Sequence, residues 1–537
     1  MNKKLRLSLI AAGSLLTLPF QNMAQAPTLG TAANFVLFSS NGAISNTGIS
    51  HLTGNIGTNN GSSTAFGNID GVMHDANGTT AAAKADLLLA YNQLDAAIPT
   101  LTLAPLLGNG QTVLKGTYYV GAAATLSLDL NLDAGGDANA VFIFQINGAF
   151  STNASAKVNL LNGAQACNVF WKVEGKVAMA TGTTMRGTVI ANNAEITAAT
   201  GDTLEGRLLS TTGAVTVAGI YAYTPIGCNS PVLTGPNAPK LGTAECFGLF
   251  TGSGDVANAG ITNVSGDIGT NSGTVAGFDP LLVNGTIHPG PDNTTQKAAN
   301  DLTVAYTYLN TLPFDIELKF PAQLGSNLVL TPHTYKMGGA ATLTGNLILN
   351  AQGNPDAVFV FQIDGALSTG TYANVKLMNG AQSKNVYWKV EGAVTISDYS
   401  VFRGTIINNG ALGALQTGVV LDGRALTITG ALNTAAITTT LVSKCTTTGL
   451  TDSDTYNTDA ANVSPNPFQA ITTIHLKQSI GSAEIKIMNS NGEEVMNSAL
   501  NSQSTTIQTS HLPSGIYFYS ITSGGKSIQT GKIISQQ

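Results

Sequence analysis

Apolar residues along this chain follow two patterns. Most sit in short runs that alternate with polar positions and are cut every few residues by Gly or Asn, the signature of short strands joined by tight turns. Twice the period lengthens to that of a helix. Residues 80–94 place Ala83, Leu87, Tyr91 and Leu94 on one stripe, and residues 295–309 do the same with Ala298, Leu302, Tyr306 and Leu309. Pro99 and Pro313 follow as terminators. These stripes read as packing, not as a cofactor pocket. A finer period of 19 runs through the strand-rich part: Val177, Ile196 and Val215, then Thr181 and Thr200, Gly182 and Gly201, Thr184 and Thr203, Gly187 and Gly206, and later Gly404 and Gly423. Several positions holding register at such a period predict a solenoid, in which no turn buries its own apolar face and stacked turns share one core. A β-sandwich with coincidental spacing is the alternative.

The chain also repeats on a larger scale. Leu29-Gly-Thr-Ala-Ala-Asn-Phe35 returns as Leu241-Gly-Thr-Ala-Glu-Cys-Phe247, and Gly54-Asn-Ile-Gly as Gly266-Asp-Ile-Gly. Ala140-Val-Phe-Ile-Phe-Gln145 returns as Ala357-Val-Phe-Val-Phe-Gln362, and Phe170-Trp-Lys-Val-Glu-Gly175 as Tyr387-Trp-Lys-Val-Glu-Gly392. Gly206-Arg207 matches Gly423-Arg424. These matches predict two homologous domains, 27–228 and 241–445, joined by a Pro/Gly-marked linker at 229–240. Each carries one long helix beside a mainly β body.

The ends differ from the repeats. Lys3, Lys4 and Arg6 precede an apolar run over residues 7–20 and small residues at Ala24 and Ala26, which reads as a signal peptide over 1–26. No later segment has the apolar length of a membrane span, so the mature chain is expected not to cross a bilayer. A polar linker at 446–462 leads to a third module, 463–537, with strand-like alternation at residues 484–488, 512–519 and 531–534. It has a hairpin signal at Asn491-Gly492. Four cysteines, Cys167, Cys228, Cys246 and Cys445, suit an exported protein and permit three connectivities. Cys228 and Cys445 are equivalent in the repeat, so the simplest arrangement is one bridge per domain, 167–228 and 246–445.

Composition narrows the function. Only 10% of residues are charged, the net charge is −6, and Gly numbers 60 of 537. An ordinary soluble chain carries about 25% charge, so the surface is expected to be neutral. No basic patch suits nucleic acid. The six histidines, His51, His74, His288, His333, His475 and His511, show no metal-ligand spacing. There is no phosphate loop or nucleophile elbow. No cofactor is implied. A polysaccharide lyase on a solenoid would need clustered acids near a base. Asp202, Glu205 and Arg207 come near this, but Val419, Leu421, Asp422 and Arg424 in the other copy lack two of the acids. A Glu205–Arg207 turn salt bridge is the expected role.

What remains is threonine. Stacked coils put equivalent residues about 4.8 Å apart, so Thr181-Gly-Thr-Thr184 is expected beside Thr200-Gly-Asp-Thr203, and Ala178, Thr197 and Thr216 in one file. Stiff Thr side chains on a flat face present methyls and hydroxyls in a regular array that orders water. Exposed strand Thr is also simply good strand chemistry.

The ordered motifs Leu-Gly-Thr-Ala-x-x-Phe, Gly-Asn/Asp-Ile-Gly, the Ala-rich helix, Ala-Val-Phe-x-Phe-Gln, Asn-Gly-Ala-Gln-x-x-Asn-Val-Phe/Tyr-Trp and Gly-Arg-x-Leu resemble the microbial ice-binding protein family across both domains. The resemblance implies two discontinuous right-handed β-solenoids of triangular section, each with a helix alongside, and a flat face that in some members carries Thr-Ala/Gly-x-Thr/Asn rungs. In this sequence the rungs fall on Thr181, Thr183 and Thr184 and on Thr200 and Thr203, with Thr197 and Thr216 beside them and Thr152 to Ser155 as a looser third. The second domain departs from the pattern. It keeps Thr369 and Thr371, Ser400 and Thr417, but has Asp398-Tyr-Ser-Val401 and Thr417-Gly-Val-Val420 where the rungs should be, which implies weaker ice binding.

The third module, opening with Val463-Ser-Pro-Asn-Pro-Phe468, resembles the C-terminal sorting domain of type IX secretion, a small β-sandwich. It implies a partner in that machinery and a product that is secreted or attached to the bacterial outer surface. The expected whole is a non-enzymatic, monomeric, exported antifreeze protein that inhibits ice growth and recrystallisation. A surface adhesin or polysaccharide-binding solenoid is the rival.

Overall fold

The computed structural model describes residues 24–228, 232–320, 324–441, 461–477, 483–489, 493–523 and 526–536. The apolar core of the predicted signal peptide, Cys445, residues 446–460 of the polar linker and Asn491-Gly492 lie outside them.

In the first solenoid successive turns stack as parallel strands. Gly116–Val120, Phe142–Ile146, Val169–Val173, Thr184–Ala191, Thr203–Ser210, Phe35–Ser39 and Asn55–Thr58 pair in that spatial order. The chain thus enters the stack in the middle. Phe35–Ser39 pairs with Thr203–Ser210 on one side and with Asn55–Thr58 on the other. After the end strand Met73–Asp75 the helix α1 (Gly78–Ala96) carries the chain toward the opposite end at Leu101–Thr102. Its 19 residues reach about 28 Å at 1.5 Å each, roughly six strand spacings.

The section is three-sided because long strands bend. Thr184–Ala191 pairs through Thr188 to Ala191 with Val169–Val173, and through Thr184 with Lys157 of the adjacent face. Gly187 turns this corner at φ 100°, and a Cβ there would lie 2.4 Å from the Val169 carbonyl oxygen. One coil on, a Cβ at Gly206 would lie 1.9 Å from the Gly187 carbonyl oxygen. Close coil contact therefore explains these two 19-spaced glycines.

Helix α1 begins at a capping box: the Asn77 side chain accepts from the Thr80 N–H at 3.1 Å, and the Thr80 hydroxyl accepts from the Asn77 N–H at 2.9 Å. Ala83, Leu87, Ala90 and Leu94 are buried against Phe35, Phe38, Ile143, Phe170, Ile190 and Leu209. Tyr91, expected on the stripe, sits at its edge and donates its hydroxyl to Glu174 at 2.6 Å.

The repeated motifs fasten this helix. The Asp86 carboxylate accepts from the Thr31 N–H at 2.7 Å. The Gln145 amide donates to the Leu94 and Ala97 carbonyls at the helix end, both at 2.7 Å. Lys172 bridges Asp95 and Glu174. Arg207 donates through Nε to the Ala33 carbonyl at 2.8 Å and through Nη1 to the Thr188 hydroxyl at 3.1 Å. The expected Glu205–Arg207 bridge does not form. The corner at Gly206 sends the two side chains to different faces, and Glu205 pairs with Arg186 at 3.4 Å.

Inside the prism Tyr118, Phe144, Trp171 and Phe150 stack, with Phe144 and Trp171 centroids 4.1 Å apart. The second solenoid repeats the plan with helix α2 (Asn293–Thr311), its Asp292/Thr295 capping box, and a Tyr335, Phe361, Trp388 stack. Both solenoids belong to one compact unit. The predicted linker lies along the second one: Leu233 accepts from Asn354 at 3.1 Å, Thr234 from the Val358 N–H at 2.8 Å, and Asn237 from the Tyr308 hydroxyl at 2.9 Å. Cys167 and Cys228 form the predicted bridge. Cys246 is disulfide-bonded, and the expected partner, Cys445, is outside the described residues.

The C-terminal unit is antiparallel. Ala461–Ser464, Ile471–Leu476 and Ser504–Gln508 form one sheet; Glu494–Leu500, Ala483–Met488, Gly515–Ser523 and Lys526–Ser535 form the other. Phe468, Ile474, Ile485, Ile521 and Ile533 fill the core between them.

Trp171 is fully buried, and its indole N–H donates to the Arg186 carbonyl at 2.9 Å. Trp171→Ala is expected to lose about 3–5 kcal/mol of stability from the cavity and the lost bond, measured by denaturant unfolding.

Candidate functional site

Each side of the first prism has its own chemistry. One side is covered by α1. A second, built from Asp129–Asp133, Lys157–Leu161 and the first halves of Thr184–Ala191 and Thr203–Ser210, carries Asp129, Lys157, Arg186 and Glu205. The third is an eight-stranded parallel sheet with no charged residue in its strands: Ser63–Thr64, Ile44–Thr47, Val215–Ala218, Ile196–Ala198, Val177–Met179, Phe150–Thr152, Ala124–Ser127 and Leu106–Gly108. Alternation points Ile44, Val215, Ile196, Val177 and Phe150 into the core. The opposite set forms an outward file in strand register: Thr64, Ser45, Thr216, Thr197, Ala178, Ser151, Thr125 and Leu106.

Hydroxyls along this file link to one another. Ser45 and Thr216 approach to 3.2 Å, and Thr125 and Ser151 to 3.0 Å. Thr181 and Thr200 stand exposed at the edge of the same face, where the Gly182 N–H donates to the Thr200 carbonyl at 3.2 Å. The outer strip thus reads Thr197-Ala-Ala-Thr200. The Lys176–Glu195 ion pair, 2.6 Å, sits just before two of the strands, at the rim.

Of the residues expected on this face, the structure brings together Thr181, Thr197, Thr200 and Thr216. Thr184 and Thr203 pair with each other round the corner, on the charged side, next to Lys157 and Tyr221. Ser155 is exposed at the corner with φ 59°. Thr152 and Thr183 are corrected: both are buried, so neither lies on the outward face. Their hydroxyls meet at 2.7 Å, and Thr152 accepts from the Ala180 N–H at 2.9 Å. The Thr-Gly-x-Thr rung therefore spans a corner, and its third residue turns inward.

Asp202 is part of that corner. It is 1% exposed and accepts from the Thr183 N–H at 2.9 Å and the Ala199 N–H at 2.8 Å. Burial pushes its carboxyl up to about 6, against the pull of these N–H groups.

The second solenoid offers a comparable but broken sheet. Its outward file runs Thr342, Ser368, Thr395 and Ala414, slips at a bulge between Leu412 and Leu415, and continues as Asn433, Ala257 and Ala276. Thr369 and Ser400 are corrected in the same way as Thr152 and Thr183: both are buried, with hydroxyls 3.2 Å apart. Thr371 and Thr417 are exposed at the corner, beside the stacked rings of Tyr372 and Tyr399, 5.3 Å apart. Sequence reasoning missed Ser45, Thr64, Thr125 and Ser151. Thr125 and Ser151 sit on longer coils and fall outside the 19-residue period, while Ser45 and Thr64 keep that spacing but lie on the first coils of the chain, far in sequence from the rungs they join.

No group of His, Cys, Asp or Glu suited to a metal ion occurs among the described residues, and none of their helices is long and apolar enough to cross a membrane.

Asp202 favours its protonated form when folded. Its contribution to stability is therefore full below about pH 4 and is lost as pH rises through about 6. The unfolding free energy of the wild-type chain is expected to fall by about 2–3 kcal/mol more than that of Asp202→Asn between those limits, measured by urea titration at each pH.

Comparison with known proteins sets these faces in context. Residues 462–536 match the secretion system C-terminal sorting domain, which assigns the protein to the cell exterior or outer surface. An ice-binding protein of Nostoc sp. (strain HG1) is 37% identical over 194 residues, 36% of this chain and 70% of that protein. Ice-binding protein 1 of Shewanella frigidimarina (strain NCIMB 400) is 30% identical over 244 residues, and the match spans only 27% of its length. The crystal structure of an ice binding protein from an Antarctic bacterium of the Flavobacteriaceae superposes with a TM-score of 0.77 at 58% identity, covering 78% of this chain and 99% of that one. Both solenoids, at residues 38–221 and 250–440, match one and the same family, and on that match the chain belongs to the Ice-binding-like family.

Proposed function

We propose that this exported protein adsorbs to ice through the neutral sheet of each solenoid and so inhibits ice growth and recrystallisation. The observation that carries the reading is the uncharged, register-held file of Thr and Ser hydroxyls and methyls on the first solenoid. Coil pairing holds these groups about 4.8 Å apart, close to oxygen repeats in ice. Their bonds to one another leave them little freedom to lose on docking. A methyl taken from water contributes at most about 0.8 kcal/mol, so adsorption needs many groups in one plane. Bound molecules then force the crystal front to curve between them, and growth stops. No bond is made or broken.

Thr181, Thr197, Thr200 and Thr216 are the contacts proposed on the first solenoid, with Ser45, Thr64, Thr125 and Ser151 extending them. Thr184 and Thr203 lie round the corner, outside the contact. The first solenoid is the stronger binder, because its file is continuous while that of the second is broken by the bulge and by Asn433. Repeat boundaries at 27–228 and 241–445 and a monomeric state complete the proposal.

A bulky side chain in the middle of a flat face lifts the whole plane from the crystal. In the full chain, Thr197→Tyr is expected to remove most of the freezing hysteresis, Thr395→Tyr to remove less, and Thr203→Tyr to leave it near wild type. Hysteresis measured on single ice crystals tests this. Loss in Thr203→Tyr with retention in Thr197→Tyr would move the site to the charged side.

A further inference from the structure

The two solenoids meet end to end through a polar contact. Asp70, at the last coil of the first solenoid, has a side chain with 0% exposure. It accepts from the Thr331 N–H at 3.1 Å, the Thr331 hydroxyl at 2.6 Å and the Tyr335 hydroxyl at 2.5 Å, all on the first coils of the second solenoid. His333 lies 3.9 Å away. Beside it the Asn68 amide exchanges two bonds with the Phe320 backbone, accepting from its N–H at 2.8 Å and donating to its carbonyl at 2.5 Å.

This contact is specific to the two ends that meet. Tyr118 is the repeat equivalent of Tyr335, and each hydroxyl reaches the carbonyl four residues before it, Leu114 and Thr331, but Tyr335 also meets the Asp70 carboxyl across the junction. Asn284, bonded across to Ser265 as Asp70 is to Thr53, takes the place of Asp70 at the far end of the second solenoid. The other two ends show exposed leucines instead, Leu101, Leu106 and Leu114 at one and Leu281 at the other. A fully buried carboxylate with three donors aimed at it is costly to leave unpaired, so separating the ends is opposed by more than shape.

The contact also sets rotation. His51–Thr53, the end strand of the charged side, lies against Leu328–Leu330, the first strand of the same side in the second solenoid. Residues 71–73, leading into the end strand of the helix-covered side, line one shallow cavity with Asp315 and Glu317 at the start of the matching side. Two sides in register on a three-sided prism fix the third. The neutral sheets therefore lie on one side of the molecule.

We propose that Asp70, through Thr331 and Tyr335, is the positioning residue that holds the two neutral sheets on one side, so that they act as a single ice-binding surface. This rests on the reading that the neutral sheets bind ice. The test uses the full chain and two readouts. Spin labels at half-buried Ser127 and exposed Thr342 report the relation of the two sheets by their distance distribution. The concentration giving half-maximal hysteresis reports joint binding. With the contact intact the distribution is expected to be single and narrow. Asp70→Ala is expected to broaden it and to raise that concentration at least about tenfold, the loss expected when linked binding becomes independent. Tyr335→Phe, which removes one donor, falls between. Asp70→Asn, which keeps one acceptor, restores much of both. Melting curves of each variant check that both solenoids remain folded; if Asp70→Ala melts early, Thr331→Val and Tyr335→Phe carry the test. An unchanged distribution, or wild-type hysteresis despite a broadened one, overturns the proposal. Failure of the parent reading is distinct: it would show as full hysteresis in Thr197→Tyr and Thr395→Tyr with Asp70 intact.

Discussion

Parallel backbone pairing between equivalent residues of adjacent coils is the constraint on which this molecule depends. It fixes one repeat distance along the stack. It lets each coil bury its inward residues only against neighbours. It places outward residues in files whose spacing the protein cannot vary from place to place. The triangular section follows from bending at close-packed glycines such as Gly187, and the three sides then diverge in chemistry. A helix shields one, ion pairs hydrate the second, and the third stays neutral. The same constraint makes the neutral side rigid, since every outward hydroxyl sits on a strand hydrogen-bonded along its coil neighbours and backed by a core with Trp171 or Trp388 at its centre.

Sequence and structure agree most closely where residues serve packing. The 19-residue period reports adjoining coils of equal length, and the pairs Thr184 with Thr203 and Val177 with Ile196 fall in register as that period requires. Helix positions agree because the apolar stripe must meet Phe35, Ile143 and Phe170. Several motifs that carry the family resemblance prove to be fasteners: Gln145 and Gln362 hold the helix ends, Lys172 and Glu174 bond along α1, and Arg207 and Arg424 hold the chain that enters the stack. They locate the fold and say little about the surface.

The face was harder to read. Thr183 and Thr152 look like their exposed neighbours in sequence, yet a corner turns them inward to satisfy buried backbone groups. Only the register distinguishes a rung that runs along a face from one that crosses an edge. Ser45 and Thr64 enter the file because the first coils of the chain insert beside the last, a connection that no local period can reveal. Asp70 was invisible for a related reason. Its partners lie in the other repeat, so nothing in its own neighbourhood marks it as paired.

The seam between the first coil and the last has a consequence for how the chain reaches its folded state. Phe35–Ser39 pairs on one side with Thr203–Ser210, and Arg207 bonds to the Ala33 carbonyl across 174 residues of sequence, so the earliest strand to emerge during synthesis or export keeps one open hydrogen-bonding edge until nearly the whole repeat has followed it. Contacts of such sequence separation form slowly, and unpaired strand edges invite pairing with other chains. Each solenoid is thus a unit whose closure comes last, while its helix and its neighbouring coils, made of contacts close in sequence, do not have to wait.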